Sequence, residues 1–124
     1  MKKIIVIVEK THTGYSAYSE AYPAFTTGKT MDELKYNMIE GLNLYFEDKD
    51  RKITIDDLSF LLDLESFFDL YPVINASALS KKVGMNKTLL SQYVTGKKKP
   101  SEKQVQRILA GVRQVGEELS QVQF

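Results

Sequence analysis

The chain contains no cysteine. Disulfides and thiolate-held metals are thereby excluded, and a reducing compartment suits the composition, so a cytoplasmic protein is expected. Histidine is nearly absent. His12 is the single one, in a turn-like Thr11-His12-Thr13-Gly14 with no nucleophile beside it, and reads as an exposed turn residue rather than a catalyst. Long apolar runs are missing too. The start MKKIIVIVEK places two lysines ahead of Ile4–Val8, but five apolar residues are too few for a signal-peptide core or a membrane span. A soluble chain with no membrane association is the expectation.

The 124 residues suit one average domain or two small ones. The formal net charge of +1 hides a division. Residues 1–70 carry 8 Lys+Arg against 13 Asp+Glu, a net of −5, whereas residues 71–124 carry 9 against 3, a net of +6. Two modules with different partners follow, 1–70 and 71–124, and the basic one is a nucleic-acid candidate.

The pattern of the first module is α+β. Ile4–Val8 is β-branched and bounded by charges, which suits a strand buried on both faces. Tyr15–Glu20 alternates as a half-buried strand should, Pro23 interrupts, and Ala24–Thr27 can form a third strand. Thr30-Met31-Asp32-Glu33 is a capping-box sequence opening a helix whose stripe is Leu34, Met38, Leu42 and Tyr45, widened by Ile39 and Phe46. That helix should fade in the charged Glu47–Lys52. Leu58–Leu64 is expected as a fourth strand, followed by a short helix over Glu65–Leu70 that Pro72 stops. The order is β-β-β-α-β, with a hinge near Tyr71–Asn75.

The second module is helical throughout. Ala76–Val83 and Lys87–Val94 are short helices flanking Gly84-Met85-Asn86, and Ser101 with Gln104 caps a third. Val105, Ile108, Val112, Val115, Leu119 and Val122 are spaced 3, 4, 3, 4, 3, a heptad seam suited to a dimer contact or to packing back on its own helices. A helix-turn-helix needs a turn residue tolerant of positive φ, and Gly84 is one. It needs apolar inward positions, filled by Leu79, Val83, Met85, Leu90 and Tyr93, and a small residue at the close contact, Ser80. The second helix must present polar residues to base edges: Asn86, Lys87, Thr88 and, one turn on, Gln92. Ser91, Lys97, Lys98 and Lys99 are candidates for phosphate. The plainer alternative is an αα corner with a solvated lysine run.

The stretch INASALSKKVGMNKTLLSQYVTGKKKPS resembles the helix-turn-helix of the phage-repressor and Cro type over roughly Ile74 to Ser101. The resemblance implies a recognition helix starting at Asn86 or Lys87 and a Thr-Gly-Lys-Lys-Lys-Pro loop on phosphate. Two residues depart from the pattern: Ala76 stands where a polar phosphate clamp is usual, and Leu89 is apolar at an often polar position. Tight operator binding usually takes a symmetric dimer on two half-sites. The seam from Val105 to Val122 is the candidate contact, with a dimer of dimers as the larger form.

Upstream, GYSAYSEAYPAFTTGKTMDELKYNMIEGLNLYFED resembles the HicB family: a strand with Gly-Tyr, a Tyr-Pro break, a short strand ending Thr-Gly, then Lys-Thr-x-x-Glu opening a helix. The similarity covers about residues 3–64, departing at AYPAFTTG from the family's commoner Pro-x-x-x-Gly. It implies a partial RNase H-like fold without nuclease activity, and the antitoxin of a type II toxin–antitoxin pair. The implied partner is a HicA-like toxin, small, basic and mRNA-cleaving. A net of −5 complements such a partner, and Tyr15, Tyr18, Tyr22 and Phe25 are candidate anchors, with two of the four expected in the core instead.

A metal nuclease would need three or four carboxylates converging on two ions. Glu9, Glu20 and Asp63 are the nearest approach, but no acid lies inside the first strand, so strand-end charges are the expected reading. No catalytic residue, metal or cofactor is expected. The alternative function is a stand-alone helix-turn-helix regulator whose N-terminal domain senses a ligand or drives oligomerisation.

Overall fold

Strand β1 (Ile4–Thr11) begins with five β-branched residues in succession, a composition that fits a pleated, packed surface. In the computed structural model, which describes residues 2–123, β1 is followed by β2 (Gly14–Ser19) and β3 (Phe25–Gly28). Then come helix α1 (Met31–Tyr45), β4 (Leu58–Leu62) and a short helix α2 (Leu64–Leu70). The chain divides between Leu70 and Tyr71 into two compact units. The second unit holds α3 (Ala76–Val83), α4 (Lys87–Val94) and α5 (Glu102–Ser120). The class is mixed α+β, a four-stranded sheet and then helices.

The sheet order is β3-β2-β1-β4. β1 pairs antiparallel with β2 and parallel with β4. A parallel pair cannot be closed by a hairpin, and the segment containing α1 makes the crossover. Ile4, Val6 and Val8 pack with Ala17, Leu58 and the α1 stripe of Leu34, Met38 and Leu42. Strand burial on both faces, expected for Ile4–Val8, is corrected. Ile5 is 38% exposed while Val6 is fully buried, because α1 covers one side of the sheet and period-two alternation sends Ile5 and Ile7 to the other.

Local hydrogen bonds explain where α1 starts and how its exit is held. Thr30 Oγ1 accepts from the Glu33 amide at 3.1 Å, supplying the predicted cap. Past its end, Asn43 holds the charged segment onto the helix: its Nδ2 donates to Ile53 O at 3.1 Å, and its Oδ1 accepts from Ile53 N at 2.6 Å. This pins Ile53 in the core, 1% exposed.

The helical unit is built from caps and a small apolar centre. Asn75, Asn86 and Ser101 each accept a bond from a first-turn amide of the helix they open. Leu79, Met85, Leu90, Tyr93, Val105 and Ile108 are buried. Helix α5 approaches α3 at Gly111, where an added Cβ would collide with the Val83 side chain. Sequence periodicity passes through this glycine without marking it.

Candidate functional site

The polar side chains singled out in the helical unit gather around α4, and the turn before it sets their position. Gly84 adopts φ 66°, the left-handed conformation that ends α3. Its amide donates to Lys81 O, and the Met85 amide reaches Ser80 O at 2.9 Å. Arg107 of α5 then straps this corner: its guanidinium donates to Val83 O at 2.9 and 3.1 Å and to Gly84 O at 2.7 Å. These are carbonyls at the end of a helix, where a cation is also favoured by the helix dipole. No sequence motif marks Arg107, since it sits on the exposed side of its own helix.

Along α4, Lys87, Thr88 and Ser91 are exposed, Leu89 and Gln92 are half-buried, and Leu90 and Tyr93 are buried. Asn86 stands just outside the helix. Its Oδ1 accepts from the Thr88 amide at 2.8 Å and the Leu89 amide at 3.2 Å. The residue expected to read bases is thus engaged as the helix cap, and its Nδ2 is what remains to donate outward. Lys97, Lys98 and Lys99 are all exposed. The loop that carries them turns at Gly96, φ 80°, and folds back so that the Lys98 amide donates to Gln92 O at 3.1 Å. Exposed lysines and the first turn of α4 therefore belong to one basic unit of net +6.

The candidate dimer seam separates into two parts. Val105 and Ile108 are at most 1% exposed and are consumed inside the unit, so they are corrected from dimer residues to core residues. Gly111 is buried with them, against α3. Beyond it Val112 and Val115 are half-buried and Leu119 is 66% exposed. An ion pair, Lys82 Nζ to Glu118 Oε2 at 2.9 Å, ties this distal half of α5 to α3.

In the sheet unit the four aromatic candidates also divide. Tyr15 and Tyr22 pack against the core on the α1 side. Tyr22 lies edge-on to Phe46 at 4.8 Å and tilted against Tyr45 at 5.6 Å, and Lys10 Nζ sits 5.0 Å from the Tyr15 ring centre. These two are corrected to packing residues. Tyr18 and Phe25 are register partners on the opposite face, 42% and 71% exposed. Asp63, one of the three weighed as metal ligands, accepts from the Glu65 and Ser66 amides and from Ser66 Oγ, opening α2. Among the described residues no group of three or more His, Asp or Glu is placed to hold a metal ion, and no helix is long and apolar enough to cross a membrane. Compared with protein-family models, curated proteins and solved structures, the chain matches none.

Proposed function

We propose that the protein is a HicB-like antitoxin that also represses its own operon. In this reading the acidic α+β unit occludes a small basic, HicA-like mRNA-cleaving toxin, and the basic unit binds operator DNA as a helix-turn-helix, α3 leading and α4 reading. The chain acts by binding and needs neither cofactor nor metal. The observation that carries the DNA half is the α3–α4 corner: a left-handed glycine, a strapped turn, an outward helix face of Lys87, Thr88 and Ser91, and three exposed lysines behind it. The β-β-β-α-β order of the acidic unit is that expected of a truncated RNase H-like HicB domain, and supports the other half.

Lysines of the loop neutralise phosphates in this scheme, so their effect is independent of sequence and sensitive to salt. Lys97→Ala and Lys98→Ala should each weaken binding to every DNA and reduce the salt slope by about one unit for each phosphate no longer neutralised. Lys87→Ala and Gln92→Ala should instead relax preference at particular base pairs. Mobility shifts on DNA from upstream of the gene, run across a salt series, separate the two behaviours. If none of the four changes binding, the corner is structural only. The antitoxin half is tested by co-purification with the product of the neighbouring reading frame. A stable complex with a short basic protein is expected, and failure to form one leaves the stand-alone regulator.

A second copy completes the DNA-binding form, through the part of the α5 seam left open: Val112, Val115 and Leu119, with Val122 just past the helix end. Two copies present two α4 helices to successive half-sites, which one copy alone is too small to do with high affinity.

A further inference from the structure

We infer that the toxin-facing surface is the β2–β3 part of the sheet face opposite α1, where Tyr18 and Phe25 are displayed beside Ile5. This deepens the antitoxin reading and rests on it. The register pairs Phe25 with Tyr18, Tyr18 with Ile7, and Ile7 with Leu61. Directly paired residues project to the same side of a sheet. Their neighbours in the strands, Ile4, Val6, Val8, Ala17 and Leu58, form the core under α1. Phe25, Tyr18, Ile7 and Leu61 therefore line up on the far side. Phe25 and Tyr18 are exposed, and Ile7 and Leu61 are half-buried. Ile5, two residues before Ile7, extends the patch, also exposed.

A solvated face of an antiparallel sheet is ordinarily polar. Part of this rank is filled within the unit: α2 packs against β1, its Leu64 and Phe68 are buried outside the α1-side core, and Ser59, which pairs with Ile5 on this face, is buried. Phe25 and Tyr18 stay open, an apolar pair on β3 and β2 that suits a protein interface. The charges around it select the occupant. The one charged side chain that the strands place on this face is Glu9, two residues beyond Ile7 and paired with Ser16. On the other flank the ladder continues to Glu20, whose amide donates to Ile5 O, and Glu20 is exposed. Lys10, the only lysine within the strands, belongs to the α1 side, where its ammonium donates to Thr11 O and Gly14 O. An apolar patch between carboxylates, in a unit of net −5, fits a protein with an apolar contact ringed by lysine or arginine. A nucleic acid would be repelled by the same charge. Two copies of this face would bring two units of net −5 together, so self-pairing is disfavoured.

The test uses the full chain and, as probe, the purified product of the neighbouring reading frame, with affinity measured by calorimetry. Phe25→Ala and Tyr18→Ala should each weaken binding by about tenfold or more. Tyr36→Ala is the control: Tyr36 is 65% exposed but lies on α1, and its removal should leave affinity unchanged. Glu9→Lys should slow association several-fold at low salt, the difference shrinking as salt rises. Hydrogen exchange of the unmodified chain should show β2 and β3 protected on complex formation, a readout that does not depend on any variant folding. If the probe binds and neither Phe25 nor Tyr18 matters, with no protection in β2 and β3, this face is overturned while the antitoxin reading stands. If the probe does not bind at all, the antitoxin reading fails and this inference with it. If the substitutions instead lower the mass of the chain alone in sedimentation, the face belongs to a second copy and the basic partner is overturned.

Discussion

The two units solve the same problem, a small core, by different means. In the sheet unit the core is long-range: a ten-member apolar cluster joins five strand residues, from Ile4 to Leu58, with Leu34, Met38 and Leu42 of α1 and with Phe46 and Ile53 beyond it. The helical unit spans little more than fifty residues, a size at which a core alone is marginal. Its core is supplemented by three helix caps, the Arg107 strap and the Lys82–Glu118 pair, as Thr30, Asn43 and Asp63 supplement the larger core of the sheet unit. The two architectures leave different places for function. A sheet whose one face is filled by α1 can offer the strands left open on the other, here β2 and β3, whereas a three-helix unit must use the outside of a helix and the loop beside it.

The largest effect is expected at the centre of the helical unit. Ile108→Ala removes a fully buried side chain from the smaller core and should cost about 2–5 kcal/mol. Because the chain divides into two compact units, denaturation should then show two transitions, with the sheet unit melting where it did before. A single shared transition would mean that the units fold as one. A smaller effect is expected at Asn86. Asn86→Ala removes the cap bonds of α4 and should cost about 1 kcal/mol. Asn86→Ser keeps a capping oxygen but deletes the outward amide. If serine restores stability yet relaxes base preference in mobility shifts, Asn86 both caps and reads; if it restores both, Asn86 only caps. The smallest effect belongs to Lys82→Ala. Both partners of that bridge are largely exposed, so thermal unfolding should move by no more than the equivalent of about 0.5 kcal/mol.

Much of this was legible in the sequence, for identifiable reasons. Helices α3 and α4 fall on their expected spans because caps, glycine and apolar spacing agree there. The sheet order was legible only as a succession of elements, and the two faces of β1 were not. A run of five β-branched residues looks alike on both sides until it is known which side α1 covers. The seam on α5 was misread in half its length for a related reason. Periodicity identifies an apolar stripe but not whether its partner is the same chain or another, and the dividing mark, Gly111, shows its meaning only against Val83. Tyr15 and Tyr18 sit three residues apart in similar sequence, yet one packs and the other is displayed. Arg107 and Asn43 were silent because their partners are backbone groups, which sequence does not label.

Arg107 has one consequence of its own. By fastening to Val83 and Gly84, it makes α5 the rod on which the turn before α4 is mounted. Leu119 lies twelve residues further along the same helix, roughly 18 Å at 1.5 Å per residue. In a pair formed through Leu119, the separation of the two α4 helices would be set by a stiff span rather than by a loop. Under the proposed DNA-binding reading, half-site spacing would then follow helix length, adjustable in whole turns of about 3.6 residues and not by a flexible tether.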